Sequence, residues 1–366
     1  MMHNIRDLLR LASVPKIGTQ KIRSLVAHFK SVDAVFEASM KELVQIPGID
    51  KKIASHIIHH TGGEKFADEQ LKRLNRIDAR IVTIWDQEYP ELLKKIYDPP
   101  AFLFVLGKFS DADLRSMSIV GTRHPTSYGQ TVTEQLCTEL ARRQITIVSG
   151  LARGIDTIAH TTALSAGTRT IGVIGSGIDV PYPPENKKLM ERIADYGVVV
   201  SEFFMGTKPD APNFPRRNRI VSGLSVGTVV VESAEDGGAM ITASTALDQD
   251  REVFAIPGSI LEKRSTGPNK LIREGRAKLI TNVEDIFAEL QIQLRLPLED
   301  AVPKRAALNL SSAEQQIFNL LSSAPAHIDA LAEQAAASTS DVLVTLLSLE
   351  FKGIVRQLPG KLFLKL

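Results

Sequence analysis

Cysteine is almost missing from this sequence: 366 residues contain one, Cys137. A single thiol excludes an internal disulfide framework and points to a reducing compartment. The eight histidines are scattered, with no spacing that would hold zinc. No stretch approaches the roughly 18 consecutive apolar residues of a membrane span. The opening segment MMHNIRDLLRLASVPK has neither the apolar run nor the small-residue cleavage site of a signal peptide. A cytoplasmic protein without a membrane span is the expectation. An excess of one charge is missing too. Lys and Arg number 44 against 42 Asp and Glu, a net charge of +2. That balance excludes polyanion binding by bulk basicity, so any nucleic-acid site must be a local cluster. The G-x-G-x-x-G fingerprint is absent, and no acidic residue ends the next strand where it would hold a ribose, which argues against a conventional NAD site. No metal cluster, paired catalytic carboxylates or Ser/His/Asp constellation can be assembled. The expectation is a protein that is not an enzyme and uses no cofactor.

What is present is a soluble composition, 43% hydrophobic and 23% charged, in three regions. Residues 1–78 read as short helices, with apolar residues at helical spacing through Ile5–Val14, Ile22–Phe29 and Ile53–Ile58. Two turns 32 residues apart form a weak repeat: Val14-Pro15-Lys16-Ile17-Gly18 and Ile46-Pro47-Gly48-Ile49-Asp50. Residues 79–290 alternate short β-branched strands with helices, the pattern of a parallel sheet covered on both faces, a Rossmann-like α/β core. Strands are expected at Ile81–Ile84, Phe102–Val105, Ser118–Val120, Ile145–Val148, Thr170–Ile174, Val198–Val200, Thr228–Val231, Glu252–Ala255 and Lys278–Ile280. Residues 291–310 read as a linker. Residues 311–366 read as three helices and a β-hairpin turning at Pro359-Gly360, a winged-helix domain.

Ligands of open parallel sheets bind beyond the carboxyl ends of the strands. Here those loops hold Gly121-Thr122-Arg123, Ser149-Gly150-Leu151-Ala152-Arg153-Gly154, Gly175-Ser176-Gly177, and Phe214-Pro215-Arg216-Arg217-Asn218-Arg219. Gly237-Gly238-Ala239 lies further on. Glycine lets backbone N–H groups approach an anion, helix N-termini offer unpaired donors, and arginine forks grip phosphate oxygens. The rim is chemically a phosphate site. Arg123, directly after a buried strand and a glycine, is expected to point into it. Arg153 has an alternative as the partner of Asp156 or of a neighbouring loop, and His160 reads as a helix residue rather than a base. Three arginines opening one helix repel each other and its dipole, a conflict that a bound polyanion resolves. Phe214 beside them reads either as a base-stacking aromatic or as core. The residues alone leave DNA and RNA, and one strand and two, undecided.

The motifs SIVGTRHPTSYG, SGLARGIDTIAH, IGVIGSGIDVPYPPEN, NFPRRNRIVSGLS and STGPNKLIREG, in this order within residues 80–290, resemble the DNA-processing protein A (DprA/Smf) family. The N-terminal helices are similar to its sterile-alpha-motif-like domain and the tail to its winged-helix module. The resemblance implies a protein that binds single-stranded DNA during natural transformation, protects it, helps load the RecA recombinase and acts as a homodimer through the Rossmann-like domain. It implies DNA-binding roles for Gly121, Thr122, Arg123, Gly175, Ser176, Gly177, Asn186, Lys187, Phe214, Arg216, Arg217, Asn218 and Arg219. The N-terminal turns look like helix-hairpin-helix motifs that lack expected glycines at Lys16 and Asp50, which favours a structural or partner-docking role over duplex binding. The third helix of the tail, Asp341–Phe351, contains no Lys or Arg, unlike major-groove readers. Two other readings stand beside this one. Gly227-Thr228 with Glu232 resembles part of the glycine-rich motif of lysine-decarboxylase-like nucleotide phosphoribohydrolases, although Leu224-Ser225-Val226 replaces its Pro-Gly-Gly. The other is a recombinase adaptor without a direct role on DNA.

Overall fold

The computed structural model describes residues 4–293, 310–322, 326–352, 354–358 and 361–365. Most of the expected linker, and the Pro359-Gly360 turn, lie outside the described residues. The chain divides into two compact units, residues 1–293 and 294–366.

The first unit opens with six helices: α1 Ile5–Ala12, α2 Thr19–Phe29, α3 Val32–Glu37, α4 Met40–Leu43, α5 Lys51–Ile58 and α6 Gly63–Asn75. The repeated turns before α2 and α5 share one geometry. Lys16 and Gly48 both adopt positive φ, 68° and 83°. Ile17 N–H donates to Val14 O and Ile49 N–H to Ile46 O. Where a phosphate would meet the second turn, Asp50 caps α5 by accepting from Ile53 N–H at 2.7 Å. The first turn is docked: Thr19 Oγ1 donates to Pro99 O and Arg23 pairs with Asp98. The second turn thus spends its carboxylate on the helix it opens, and the helix after the first is tied to the Asp98–Pro99 segment.

The sheet that follows contains all nine expected strands: β1 Arg80–Thr83, β2 Phe102–Gly107, β3 Ser116–Val120, β4 Thr146–Ser149, β5 Thr170–Val173, β6 Val198–Ser201, β7 Gly227–Val230, β8 Glu252–Ala255 and β9 Lys278–Leu279. Between them run α7 Glu91–Lys94, α8 Ser127–Arg142, α9 Ile155–Ser165, α10 Lys187–Tyr196, α11 Asn213–Gly223, α12 Gly238–Asp248 and α13 Thr266–Arg273, and α14 Val283–Gln293 follows. The order is β1-β2-β6-β5-β4-β3-β7-β8-β9. Strands β3 to β9 pair in parallel, and β3, β4, β5, β6 and β7 are buried throughout, as strands covered on both faces must be. The all-parallel expectation needs one correction. β1 and β2 run antiparallel to each other, and β2 runs antiparallel to β6. The segment carrying α7 between β1 and β2 returns the chain beside its own start, which a parallel crossover does not do.

From β3 the chain winds outward through β4, β5 and β6. It then crosses back to place β7 on the other side of β3. The strand order reverses between β3 and β7, and in doubly wound sheets a crevice opens at that point.

The second unit has α15 Ser312–Leu320, α16 Ile328–Ala335 and α17 Thr339–Phe351 around a small core including Ile317, Leu331, Leu346 and Phe363. Its sheet has three strands rather than the expected two. A short β10, Ala326–His327, pairs with β12, Leu362–Lys365, which pairs in turn with β11, Val355–Leu358. Two residues are too short to carry an alternating pattern that a sequence could reveal.

Candidate nucleic-acid interface

The crevice at the reversal point is a cavity of about 310 Å³. Its walls come from the loops after β3, β4 and β7 and from one face of α11. Six of the expected residues line it: Gly121, Thr122, Arg123, Phe214, Arg217 and Asn218. The loop after β3 is held by its backbone. Thr122 N–H donates to Glu232 O at 2.7 Å, and Thr122 O accepts Ile155 N–H, which fixes the start of α9 beside it. Arg123 then projects into solvent, its guanidinium 5.5 Å from the centre of the Phe214 ring. Phe214 is half-buried between Arg123 and Tyr182, 5.7 Å away ring to ring. A side chain at Gly175 would come within 3.1 Å of that ring, so the glycine's contribution is a seat for Phe214.

Arg217 behaves differently. It is 5% exposed, and Nη1 donates to Val173 O at 2.8 Å. Its Nε is buried without a partner among the described residues. A Cβ at Gly150 would stand 1.8 Å from Nη1, so only glycine admits this guanidinium. Burial lowers Arg217 to about 10, Asp156 acts in the opposite sense and Arg123 adds to the lowering; Arg217 remains a cation at neutral pH. Asp156 is itself buried in the cavity wall, raised above its ordinary value by desolvation and held down by Arg217 and by Ala152 N–H.

Sequence reasoning passed over one feature of this wall. Asp156 figured only as a possible partner for Arg153, which instead pairs with Glu185. The signal for it was a carboxylate at the opening of α9, one turn from a buried strand. The start of α12, whose glycines the sequence already placed beyond the strand ends, completes the wall. Gly237 precedes α12 with no side-chain cap, and Gly237, Gly238 and Ala239 line the cavity. An uncapped helix N-terminus offers unpaired N–H groups and a positive dipole end.

The remaining expected residues lie off the cavity wall. Ser176 is buried and donates to Val180 O, and Gly177 N–H donates to Thr207 O. Asn186 is buried and donates to Leu151 O and Thr157 Oγ1, tying the loop after β5 to the start of α9. Lys187 is exposed at the start of α10. Arg216 is exposed, 5.4 Å from the Phe203 ring. Arg219 turns the other way and pairs with Glu202 and, at 3.7 Å, with Asp98. The expected conflict among these arginines is therefore relieved by direction. Arg217, one residue on, faces away from Arg216, and although Arg216 and Arg219 lie on the same side of the helix at i and i+3, each guanidinium has a different neighbour. His160 is buried in α9 with Nδ1 2.7 Å from Thr170 Oγ1, as a structural helix residue.

In the second unit the outer face of α17 is apolar, with Leu343, Val344 and Leu347 exposed. Among the described residues no three His, Cys, Asp or Glu side chains come together to hold a metal ion, and no helix is long and apolar enough to cross a membrane.

Comparison with known proteins covers nearly the whole chain. The family model for DNA recombination-mediator protein A matches residues 80–291. A SAM-like helix-hairpin-helix tandem matches residues 8–60 and the DprA winged helix domain residues 301–361. The Bacillus subtilis DNA processing protein DprA is 48% identical over 210 residues, 57% of this chain and 70% of the relative. The Streptococcus pneumoniae DNA processing protein A structure is 35% identical, with a TM-score of 0.68 over 79% of this chain and 99% of that one. The Helicobacter pylori DNA processing protein A, solved for its single-stranded DNA binding mode, is 30% identical, with a TM-score of 0.53 over 59% of this chain and 97% of that one.

Proposed function

The chain belongs to the DNA recombination-mediator protein A family, DprA or Smf, a family of DNA processing and recombination, and on that premise we propose that it binds single-stranded DNA through the cavity between β3 and β7, without turnover. The observation that carries the reading is the joint presence, on one cavity wall, of a free arginine, a buried arginine with an unpartnered Nε, and an uncapped helix start. A phosphodiester in the cavity answers the charge of both arginines and the N–H groups of the helix start. Phe214, beside Arg123, offers a ring to a base, while Arg216 and Lys187 extend the positive surface beyond the cavity. Gly121 and Thr122 shape the approach, and Gly175, Ser176, Gly177, Asn186 and Asn218 hold the loops. Arg219 is reassigned to bracing α11 against Glu202. Because the contacts are to backbone charge and ring faces, sequence is read little.

The further steps belong to the same proposal. The protein protects incoming strands in the cytoplasm and helps load the RecA recombinase, and two chains pair through the Rossmann-like domain so that two cavities engage one strand with added avidity. Base release from nucleotides is not favoured. Glu232, the residue that suggested it, is 1% exposed and accepts both Thr126 N–H and Thr126 Oγ1–H.

The test is a fluorescence-anisotropy titration of one oligonucleotide, its duplex and free mononucleotides across salt concentrations. The single strand should bind most tightly, with log K falling by about 0.7 per neutralised phosphate for each tenfold rise in salt. Equal affinity for duplex, or release of free base from a nucleoside monophosphate, would overturn it. The apolar face of α17 favours protein contact as the role of the winged helix. Deleting residues 311–366 should leave strand binding unchanged while impairing recombinase loading on a coated strand. Loss of strand binding on that deletion would place the module on DNA instead.

A further inference from the structure

A second hollow opens on the same rim, on the far side of the loop after β7. It has a volume of about 460 Å³ and is walled by Thr126, Tyr128, Glu232, Gly258, Ser259 and Ser265, among others. Glu232 stands between the two spaces: it walls this hollow, and the next residue, Ser233, walls the phosphate cavity. The loop from Arg123 to Tyr128 is five steps of chain, at most roughly 18 Å when fully extended. A strand leaving the cavity past Arg123 towards β8 reaches this hollow next.

The hollow is built around an aromatic face. Tyr128 sits in the first turn of α8 with its side 48% exposed, and its phenol donates to Pro257 O at 2.7 Å, which fixes the ring. The loop after β8, which supplies Gly258, Ser259 and Glu262 to the wall, carries between the last two a pair of aliphatic residues almost fully in solvent, Ile260 at 88% and Leu261 at 92% exposed. Lys263 follows, exposed and without an ion pair among the described residues. Two carboxylates, Glu232 and Glu262, belong to the wall itself, and both have partners. Glu232 accepts from Thr126, and Glu262 accepts from Arg264 N–H at 3.1 Å and stands 4.0 Å from its guanidinium. A fixed ring, an aliphatic lip and a flanking cation are what a stacked base with its phosphate requires.

We propose that this hollow is a base subsite, in which a nucleobase of the strand whose phosphate fills the neighbouring cavity stacks on Tyr128 beneath Ile260 and Leu261, with the following phosphate at Lys263. The inference rests on the single-strand reading of the cavity and adds to it a direction of travel, from β3 across α8 to the loop after β8.

The experiment uses the full chain and thymidine oligonucleotides carrying one abasic position moved along the strand. With the unaltered protein, one position near the bound phosphate should weaken binding about tenfold when its base is removed. Tyr128→Leu should weaken the intact strand by a similar factor and lose the sensitivity at that position, while Tyr128→Phe keeps both. A strand with 5-iodouracil at the sensitive position should photocrosslink to Tyr128 in the unaltered chain, a readout that does not depend on a variant folding. Tyr128→Leu binding like the unaltered chain, or keeping the abasic sensitivity, overturns the subsite. So does a result in which Ile260→Ser with Leu261→Ser changes self-association and leaves strand binding alone, which would make the lip a protein contact. Arg123→Ala separates the two levels. If it weakens binding while the Tyr128 tests fail, the cavity reading stands and only the subsite falls; if Arg123→Ala has no effect, the cavity reading falls.

Discussion

Arg217→Met is expected to lower the unfolding free energy of the unit spanning residues 1–293 by about 3 kcal/mol at neutral pH, and to weaken single-strand binding by about tenfold to a hundredfold. Both effects come from one buried guanidinium. It is 5% exposed, bonded to Val173 O, and it offsets the charge of buried Asp156. Methionine fills much of the space but leaves Asp156 without its cation, the costly way to break a buried charge arrangement. The pH dependence follows. Asp156 is raised on folding above its ordinary 3.8, chiefly by desolvation. A carboxyl raised on folding costs stability as pH rises past its unfolded value and through its folded one. Losing Arg217 raises it further, so the deficit of the variant should shrink steadily as pH is lowered from 7 towards 4. Adding Asp156→Asn should recover much of the stability and none of the affinity. The sole tryptophan, Trp85, packs against the core of this unit, so urea unfolding followed by its fluorescence reads the right transition. A deficit independent of pH, or one that Asp156→Asn deepens, would mean that Arg217 stabilises by packing alone.

The central strands were legible because most are short β-branched runs, and strands buried on both faces of a parallel sheet permit little else. The location of the candidate site was legible for a related reason. Strand-end loops rich in glycine and arginine have few structural uses, and the rule that ligands bind beyond strand ends does not require the strand order. What stayed hidden is direction. Arg216, Arg217 and Arg219 read as one cluster along the chain, but the helix turns Arg217 away from the other two, and only Arg217 of the three reaches the cavity. The partners that decide their roles are distant in sequence: Val173 for Arg217, Glu202 for Arg219 and Phe203 for Arg216. Asn186 shows the same limit. The family resemblance implies a DNA-binding role for it, and its Nδ2 instead donates to Leu151 O and Thr157 Oγ1 across the rim. Asp50 reads as a missing glycine in a duplex-binding turn, and its carboxylate serves as the cap of α5.

Arg123→Ala should separate binding from folding where Arg217→Met joins them. Arg123 is exposed, and its recorded neighbour is the Phe214 ring at 5.5 Å. Among the described residues no carboxylate lies within ion-pair distance of it. An exposed side chain with so few ties contributes within roughly 0.5 kcal/mol to stability. Its position at the mouth of the cavity gives it a charge-assisted contact with a phosphate, so the loss of affinity for single strands should be about 1–3 kcal/mol. The salt slope should flatten by about 0.7, the value of one single-strand phosphate contact. Arg123→Lys should keep that slope, since the charge remains, and lose part of the affinity, since a point charge does not reproduce the planar fork. Arg216→Ala makes the comparison sharper. It removes another exposed arginine, one on α11 and off the cavity wall, and its effect should be smaller than that of Arg123→Ala at every salt concentration. Unchanged affinity in Arg123→Ala, or a larger loss in Arg216→Ala, would move the phosphate track off the reversal point and onto the outer face of α11.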